Sequence, residues 1–365
     1  MISIEQIQQL LKHAVTNQAS DIHLSQGYPP IIRIDGKLMP IKGKVLSKQD
    51  LEDIIVQILD DYQMERFKEE MELDFGYSVH NIAHFRVNVF SKMGGYGMAF
   101  RIIPDHIRPL SELGMPDSVV KMAREMEGLV LVTGPTGHGK STTLAAMIDQ
   151  MNNERRCHIL TIEDPIEYTH KPKNCLIQQR ELGQHTQSFA AALKSALRED
   201  PDVVLVGEMR DLETISLALT AAETGHLVLS TLHTRNAPDT VTRIVDVFPA
   251  EQQKQILAQI AGSLLGIVSQ RLLTTASGKG RCVAVETMYA NNAIRNLIRE
   301  RKMHQIRSIM QSSAEAGMLT MDDSLINLMQ RGVITRQQAI QYADDLERFL
   351  PPSKSKSAKK AEAQK

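Results

Sequence analysis

The sequence predicts an α/β protein with a P-loop core, a smaller α+β part ahead of it and a helical part behind it, and three observations carry this expectation. Gly134-Pro135-Thr136-Gly137-His138-Gly139-Lys140-Ser141-Thr142 fills the pattern G-x-x-x-x-G-K-[ST] just after an apolar run, residues 129–132. Apolar runs at 129–133, 158–162, 203–206 and 227–231 alternate with helical patterns, as a parallel sheet with its loops at the carboxyl ends requires. Before them, helical patterns and alternating strand patterns succeed one another without that rhythm.

A chain of 365 residues is long enough for about two domains, each with its own core. The net charge of −1 offers no global positive field for nucleic acid, and aromatic residues make up 4% with no Trp, so base-stacking platforms are scarce. A RecA-like nucleic-acid translocase is therefore disfavoured. Cys157, Cys175 and Cys282 are odd in number and far apart in sequence, which suggests neither a disulfide framework nor a zinc site and fits a reducing compartment. The start lacks a basic, apolar leader and no apolar run approaches the ~18 residues of a membrane span, so export and spanning are not expected.

In chain order, Ile4, Ile7, Leu10, Leu11, Ala14 and Val15 recur at helical spacing. Residues 21–24 read as a short strand, and 31–34 with 38–41 as a hairpin closed by Asp35-Gly36. Ser47 and Asp50 mark a capping box for a helix ending near Leu59. Strands follow at 73–79, 84–90 and 98–103, the last after Gly94-Gly95-Tyr96-Gly97. Pro104, Pro109 and Pro116 then interrupt regular structure. After the P-loop part, the pattern predicts a helix over 251–270, a hairpin over 271–288 turning at Ser277-Gly278-Lys279-Gly280, and helices at 292–299, 304–313, 322–331 and 336–348. The expected organisation is an α+β domain at 1–103, a linker at 104–118, the core at 119–290, helices at 291–350 and a disordered Lys-rich tail at 351–365.

The P-loop residue types fit phosphate chemistry. Gly134, Gly137 and Gly139 let successive N–H groups turn inward, Lys140 supplies charge near the β- and γ-phosphates, and Ser141 offers a hydroxyl to Mg²⁺. Glu163, the first acid after the second apolar strand, is expected to position the attacking water, with Asp164 as the alternative. Glu208 follows the strand at 203–206 and is the expected metal-side acid in the Walker B place, where Asp is usual. His226 precedes the fourth strand and His233 follows it, so His233 is the one placed at the nucleotide edge to sense the γ-phosphate.

Together the P-loop, Thr161-Ile162-Glu163-Asp164-Pro165-Ile166-Glu167, Gly207-Glu208-Met209-Arg210-Asp211 and the stretch 224–234 resemble the Walker A, Asp, Walker B and His boxes of the type II secretion and type IV pilus ATPases. Ala293-Ile294-Arg295-Asn296-Leu297-Ile298-Arg299-Glu300 is similar to a signature of the pilus-retraction branch; its spacing buries Ile294, Leu297 and Ile298 and puts Arg295 and Arg299 on the other face. The resemblance spans residues 1–345 and implies a PAS-like N-terminal domain, a RecA-like core and a homohexamer that turns ATP hydrolysis with Mg²⁺ into pilus retraction and twitching motility. It implies an inner-membrane platform protein as partner, an accessory retraction ATPase as a further one, and a place at the cytoplasmic face of the inner membrane. Arg86 and Arg101 match the family's candidates for the arginines that neutralise phosphate charge, ahead of Arg108 and Arg210. His138 departs from the family's usual Ser, at a position expected to act mainly through its backbone. The extension ATPases carry a four-cysteine zinc motif that this sequence lacks, which leaves an accessory motor or a secretion paralogue as the near alternatives.

Overall fold

The computed structural model describes residues 3–34, 36–103 and 106–349. The expected tail from residue 351, Asp35 and Pro104 lie outside them. The chain divides into two units, one of Met1–Ile107, Leu160–Pro172 and Ile177–Ala192, the other of Arg108–Ile159, Lys173–Leu176 and Leu193–Lys365.

The first unit opens with α1 (Ile4–Thr16), capped reciprocally by Ser3 and Gln6, and continues through the antiparallel strands β1 (Asp21–Ser25), β2 (Ile31–Ile34) and β3 (Lys37–Pro40). The Ser47/Asp50 capping box starts α2 (Lys48–Ile58) as expected. A second box, Asp60 with Gln63, starts α3 (Asp61–Glu70), a helix without counterpart in the sequence expectations. Strands β4 (Glu72–Val79), β5 (Ala83–Lys92) and β6 (Gly95–Ile103) complete a six-stranded sheet ordered β3-β2-β1-β6-β5-β4.

Alternation gives this sheet two unlike faces. Phe85, Val87 and Val89 of β5 join Met98 and Phe100 of β6 under Ile7 and Leu11 of α1 and Leu51 and Ile54 of α2, all buried in one core. Phe85 and Phe100 meet edge-on, with ring centroids 6.3 Å apart. The other face is polar, and in register across five strands it carries the row Arg33, Asp21, Arg101, Arg86, Gly76. Asp21 accepts from Arg101 Nε at 3.0 Å, which offsets the repulsion between the neighbouring arginines.

In the second unit α4 (Asp117–Met122) precedes the fully buried β7 (Gly128–Thr133), and the P-loop leads into α5 (Lys140–Glu154). Along the chain β8 (His158–Glu163), β9 (Leu176–Glu181) and α6 (Phe189–Ala196) follow, whose residues from 160 to 163, from 177 to 181 and from 189 to 192 are assigned to the first unit, and then β10 (Val203–Val206), α7 (Leu212–Glu223), β11 (Leu227–Leu232), α8 (Ala237–Asp246) and α9 (Ala250–Ser263). The hairpin β12 (Leu264–Thr274) and β13 (Arg281–Tyr289) precedes α10 (Asn292–Arg299), α11 (Ile306–Ser312), α12 (Met321–Gln330) and α13 (Arg336–Tyr342). The seven strands run β13-β12-β7-β11-β10-β8-β9, with β12, β7, β11 and β10 parallel in turn and β13 antiparallel at one edge.

Two helices end earlier than their periodicity predicts. The expected helix over 251–270 stops at Ser263, and the chain continues as β12 beside β7. Arg295, distant in sequence, donates to the carbonyl oxygens of Ala261 and Gly262 and so satisfies the end of α9. The helix expected over 336–348 stops at Tyr342 because the N–H groups of Asp344 and Asp345 turn to the buried Asp322 carboxylate instead. The strand β9, rich in Gln and charge, was outside the expected strands for lack of an apolar pattern.

The edge-on Phe pair sets a testable magnitude: Phe100→Ala should cost about 3–5 kcal/mol of unfolding free energy in a urea titration. A loss below about 1 kcal/mol would show that the site collapses around the gap.

Candidate active site

The apolar strand β7 delivers the chain to the P-loop in a backbone form that side chains resist. Gly134, Gly137 and Gly139 have φ of 143°, 77° and 82°, and a Cβ on Gly134 would lie 2.5 Å from the Gln270 carbonyl oxygen. Gly139 is the N-cap of α5 and brings no side-chain acceptor, so the first N–H groups of that helix remain suited to an anion, with the helix dipole behind them. Pro135, Thr136, Ser141 and Thr142 complete the loop and the first turn. Lys140 is buried, and its Nζ donates to the carbonyl oxygens of Gly134 at 3.0 Å and Pro135 at 3.2 Å.

His233, just past the end of β11, stands between this loop and the acid after β10. Its Nε2 lies 3.2 Å from Glu208 Oε1, while its Nδ1 lies 3.4 Å from Lys140 Nζ and 3.5 Å from Thr136 Oγ1. With the ring proton on Nε2, His233 donates to Glu208 and accepts from Lys140, so one ring links both charged groups. Burial acts to raise the pKa of Glu208, but Arg210 Nε at 2.6 Å and His233 outweigh it and hold the group below its ordinary value. Glu208 is thus an ionised oxygen donor at neutral pH, and the Ser141 hydroxyl is a second hard donor. This pair fits Mg²⁺, which takes few protein oxygens and keeps waters. His226 does not join this group: its Nδ1 lies 3.0 Å from the Ala221 carbonyl oxygen in the turn before β11.

Two side chains tie the loop to β12, and neither role is set by the motif. Gln270 on β12 is 1% exposed; its Nε2 donates to the His138 carbonyl oxygen at 2.6 Å, and its Oε1 accepts from Thr143 Oγ1 at 2.9 Å. His138, expected to act through its backbone, also uses its ring: Nδ1 accepts from the Leu272 N–H at 3.0 Å. Burial first, then Arg271 and Lys140, push its pKa below the ordinary histidine value, which keeps that acceptor available.

Within the first unit, Glu163 ends β8. Thr161 Oγ1 donates to its Oε1 at 2.6 Å and Gln179 Nε2 does so at 3.2 Å. Burial nevertheless raises its pKa to about 7, the range a general base needs at neutral pH. Asp164, the alternative, is exposed. Arg86 and Arg101 lie side by side on the polar sheet face, Arg101 exposed and Arg86 partly buried, with Arg86 3.9 Å from Asp74. Arg108 is exposed, and Arg210 is drawn to Glu208.

The octet at 293–300 forms most of α10, with Ile294 and Ile298 buried and Leu297 partly so. The expected exposed arginine pair is half corrected: Arg299 is exposed, whereas Arg295 turns back to the carbonyl oxygens of Ala290, Ala261 and Gly262. Cys157 and Cys175, far apart in sequence, meet with Sγ atoms 3.5 Å apart as free thiols, and burial pushes Cys157 up to about 12.

If Gln270 braces the loop, Gln270→Leu leaves two buried polar groups unpaired. We expect a loss of about 1–3 kcal/mol in stability by thermal melting and roughly tenfold weaker ADP binding by calorimetry. Unchanged ADP affinity would refute the bracing role.

The chain is 49% identical over 343 residues to the type IV pilus retraction ATPase PilT of Pseudomonas aeruginosa, covering 94% of this chain and 99% of that one. It is 50% identical over 318 residues to a twitching motility protein of Neisseria gonorrhoeae, covering 87% of this chain and 85% of that one. Its fold is similar to the crystal structure of the pilus retraction motor PilT with bound ADP, at a TM-score of 0.87 and 46% identity over 94% of this chain and 98% of that one. A family model described as "Type II/IV secretion system protein" matches residues 2–302, and with these relatives it shows that the chain belongs to the type II/IV secretion system ATPases.

Proposed function

We propose that this protein is an ATPase motor that drives type IV pilus retraction and thereby twitching motility. The observation that carries the reading is the His233 ring between the P-loop Lys140 and the acid Glu208, in a chain similar over nearly its whole length to a retraction ATPase. Similarity to a motor solved with ADP supports nucleotide use.

In this mechanism the P-loop N–H groups and Lys140 bind and orient the β- and γ-phosphates. Ser141 and Glu208 would hold Mg²⁺, which would neutralise phosphate charge. Glu163 takes the proton from the water that attacks the γ-phosphate, and its raised pKa lets it do so near neutral pH without being a weak base. His233 reports on the γ-phosphate because a change at Lys140 is felt at Glu208 through one ring. Arg86 and Arg101 supply cations that offset charge as the phosphoryl group transfers. The working assembly is a homohexamer at the cytoplasmic face of the inner membrane, bound to the pilus platform protein and joined by an accessory retraction ATPase. Among the described residues no helix is long and apolar enough to cross a membrane.

Lys140→Ala should lose nucleotide binding and turnover. Glu163→Gln should keep ATP binding while turnover falls about 10²-fold or more. In cells lacking the gene, surface pili should accumulate unretracted and be cleared by the wild type but by neither variant. Bald cells would point to pilus extension instead, and full retraction with Glu163→Gln would remove that residue from catalysis.

A further inference from the structure

The edge strand β9 turns two polar side chains, two residues apart and so on one face, toward the segment that follows Glu163. Gln179 uses its whole amide there. Its Nε2 donates to Glu163 Oε1 at 3.2 Å and to the Tyr168 carbonyl oxygen at 2.9 Å, and its Oε1 accepts from the His170 N–H at 2.9 Å. Reversing the amide would set oxygen against two acceptors and nitrogen against a donor, so one orientation is enforced.

Glu181, 2% exposed, makes the second grip. Its Oε2 accepts from the Ile166 N–H at 3.0 Å and its Oε1 from the Gly76 N–H of β4 at 3.0 Å. Gly76 lies opposite Arg86 in the sheet register, and its carbonyl oxygen accepts from Gln184 Nε2 at 2.7 Å. The strand carrying the free edge of the six-stranded sheet is thereby fastened to the acidic segment through one carboxylate. A glycine is required at this contact, since a Cβ on Gly76 would lie 2.9 Å from both oxygens of Glu181.

We infer that Gln179 and Glu181 are positioning residues for ATP hydrolysis: Gln179 aims the Glu163 carboxylate, and Glu181 fixes the segment bearing it to the strand beside Arg86. This rests on the reading of Glu163 as the base. Neither residue belongs to the P-loop, and neither is Glu163 or Glu208.

The test uses the full chain and compares Gln179→Leu, Glu181→Gln and Gly76→Ala with Glu163→Gln. Glu181→Gln is nearly isosteric but sets an amide NH₂ against one of the two N–H donors, and Gly76→Ala displaces the carboxylate without altering it. For each of the three, kcat should fall about 10- to 100-fold while KM for ATP and the ADP Kd stay within about twofold. Placed in a Glu163→Gln background, Gln179→Leu should cause no further loss, whereas an independent structural defect would add to it. Wild-type kcat in Gln179→Leu and Glu181→Gln, or a loss that adds fully to that of Glu163→Gln, would overturn the positioning role. Wild-type turnover in Glu163→Gln itself would instead overturn the base assignment on which it rests.

Discussion

Burial of one carboxyl group, that of Glu163, is the constraint from which the account of turnover follows. Desolvation drives its pKa up, and hydrogen bonds from Thr161 and Gln179 pull it part of the way back, to about 7. The same-sign neighbour Glu167 adds to the rise. A fully exposed Glu would be ionised but a weak base, and one buried without donors would stay protonated. The balance also costs stability: because the folded pKa lies above the ordinary 4.5, the folded state favours the proton, and stability falls as pH rises from that value through about 7. Such a cost is acceptable where a proton has to be taken at neutral pH.

A different solution serves the phosphate side. There the proposed mechanism calls for a charged acid, and Glu208 is held below its ordinary value by Arg210 and His233 despite partial burial. The loop that would receive the phosphates keeps its left-handed glycines in place through contacts from β12, with Gln270 spanning the His138 carbonyl and Thr143. Two carboxylates of one protein are thus set apart by environment alone, one desolvated and held by few donors, the other paired with cations.

How much of this was legible in the sequence depended on how local the physics is. The P-loop, the acids at the ends of β8 and β10, and His233 at the end of β11 follow from strand periodicity and a contiguous motif, and the structure places them at those strand ends. Gln270, Gln179 and Glu181 are polar residues whose meaning lies in partners from other strands, so no spacing rule marks them. Periodicity alone also carries a helix past Ser263, since Leu264 and Ile267 continue its apolar stripe; the competing claim of β7 for a parallel neighbour decides the matter. Arg295 reads as a surface cation on a helical wheel, yet the open carbonyls at the end of α9 bring it inward.

The measurement that bears most directly on this account is the pH dependence of ATP turnover at saturating nucleotide. A base that works deprotonated and titrates near 7 predicts that kcat rises as pH increases through about 7, with Glu163 the group responsible. A kcat that stays level from well below pH 6 to above pH 8 would contradict it, because the proton would then be taken by a group of ordinary acidity or by none.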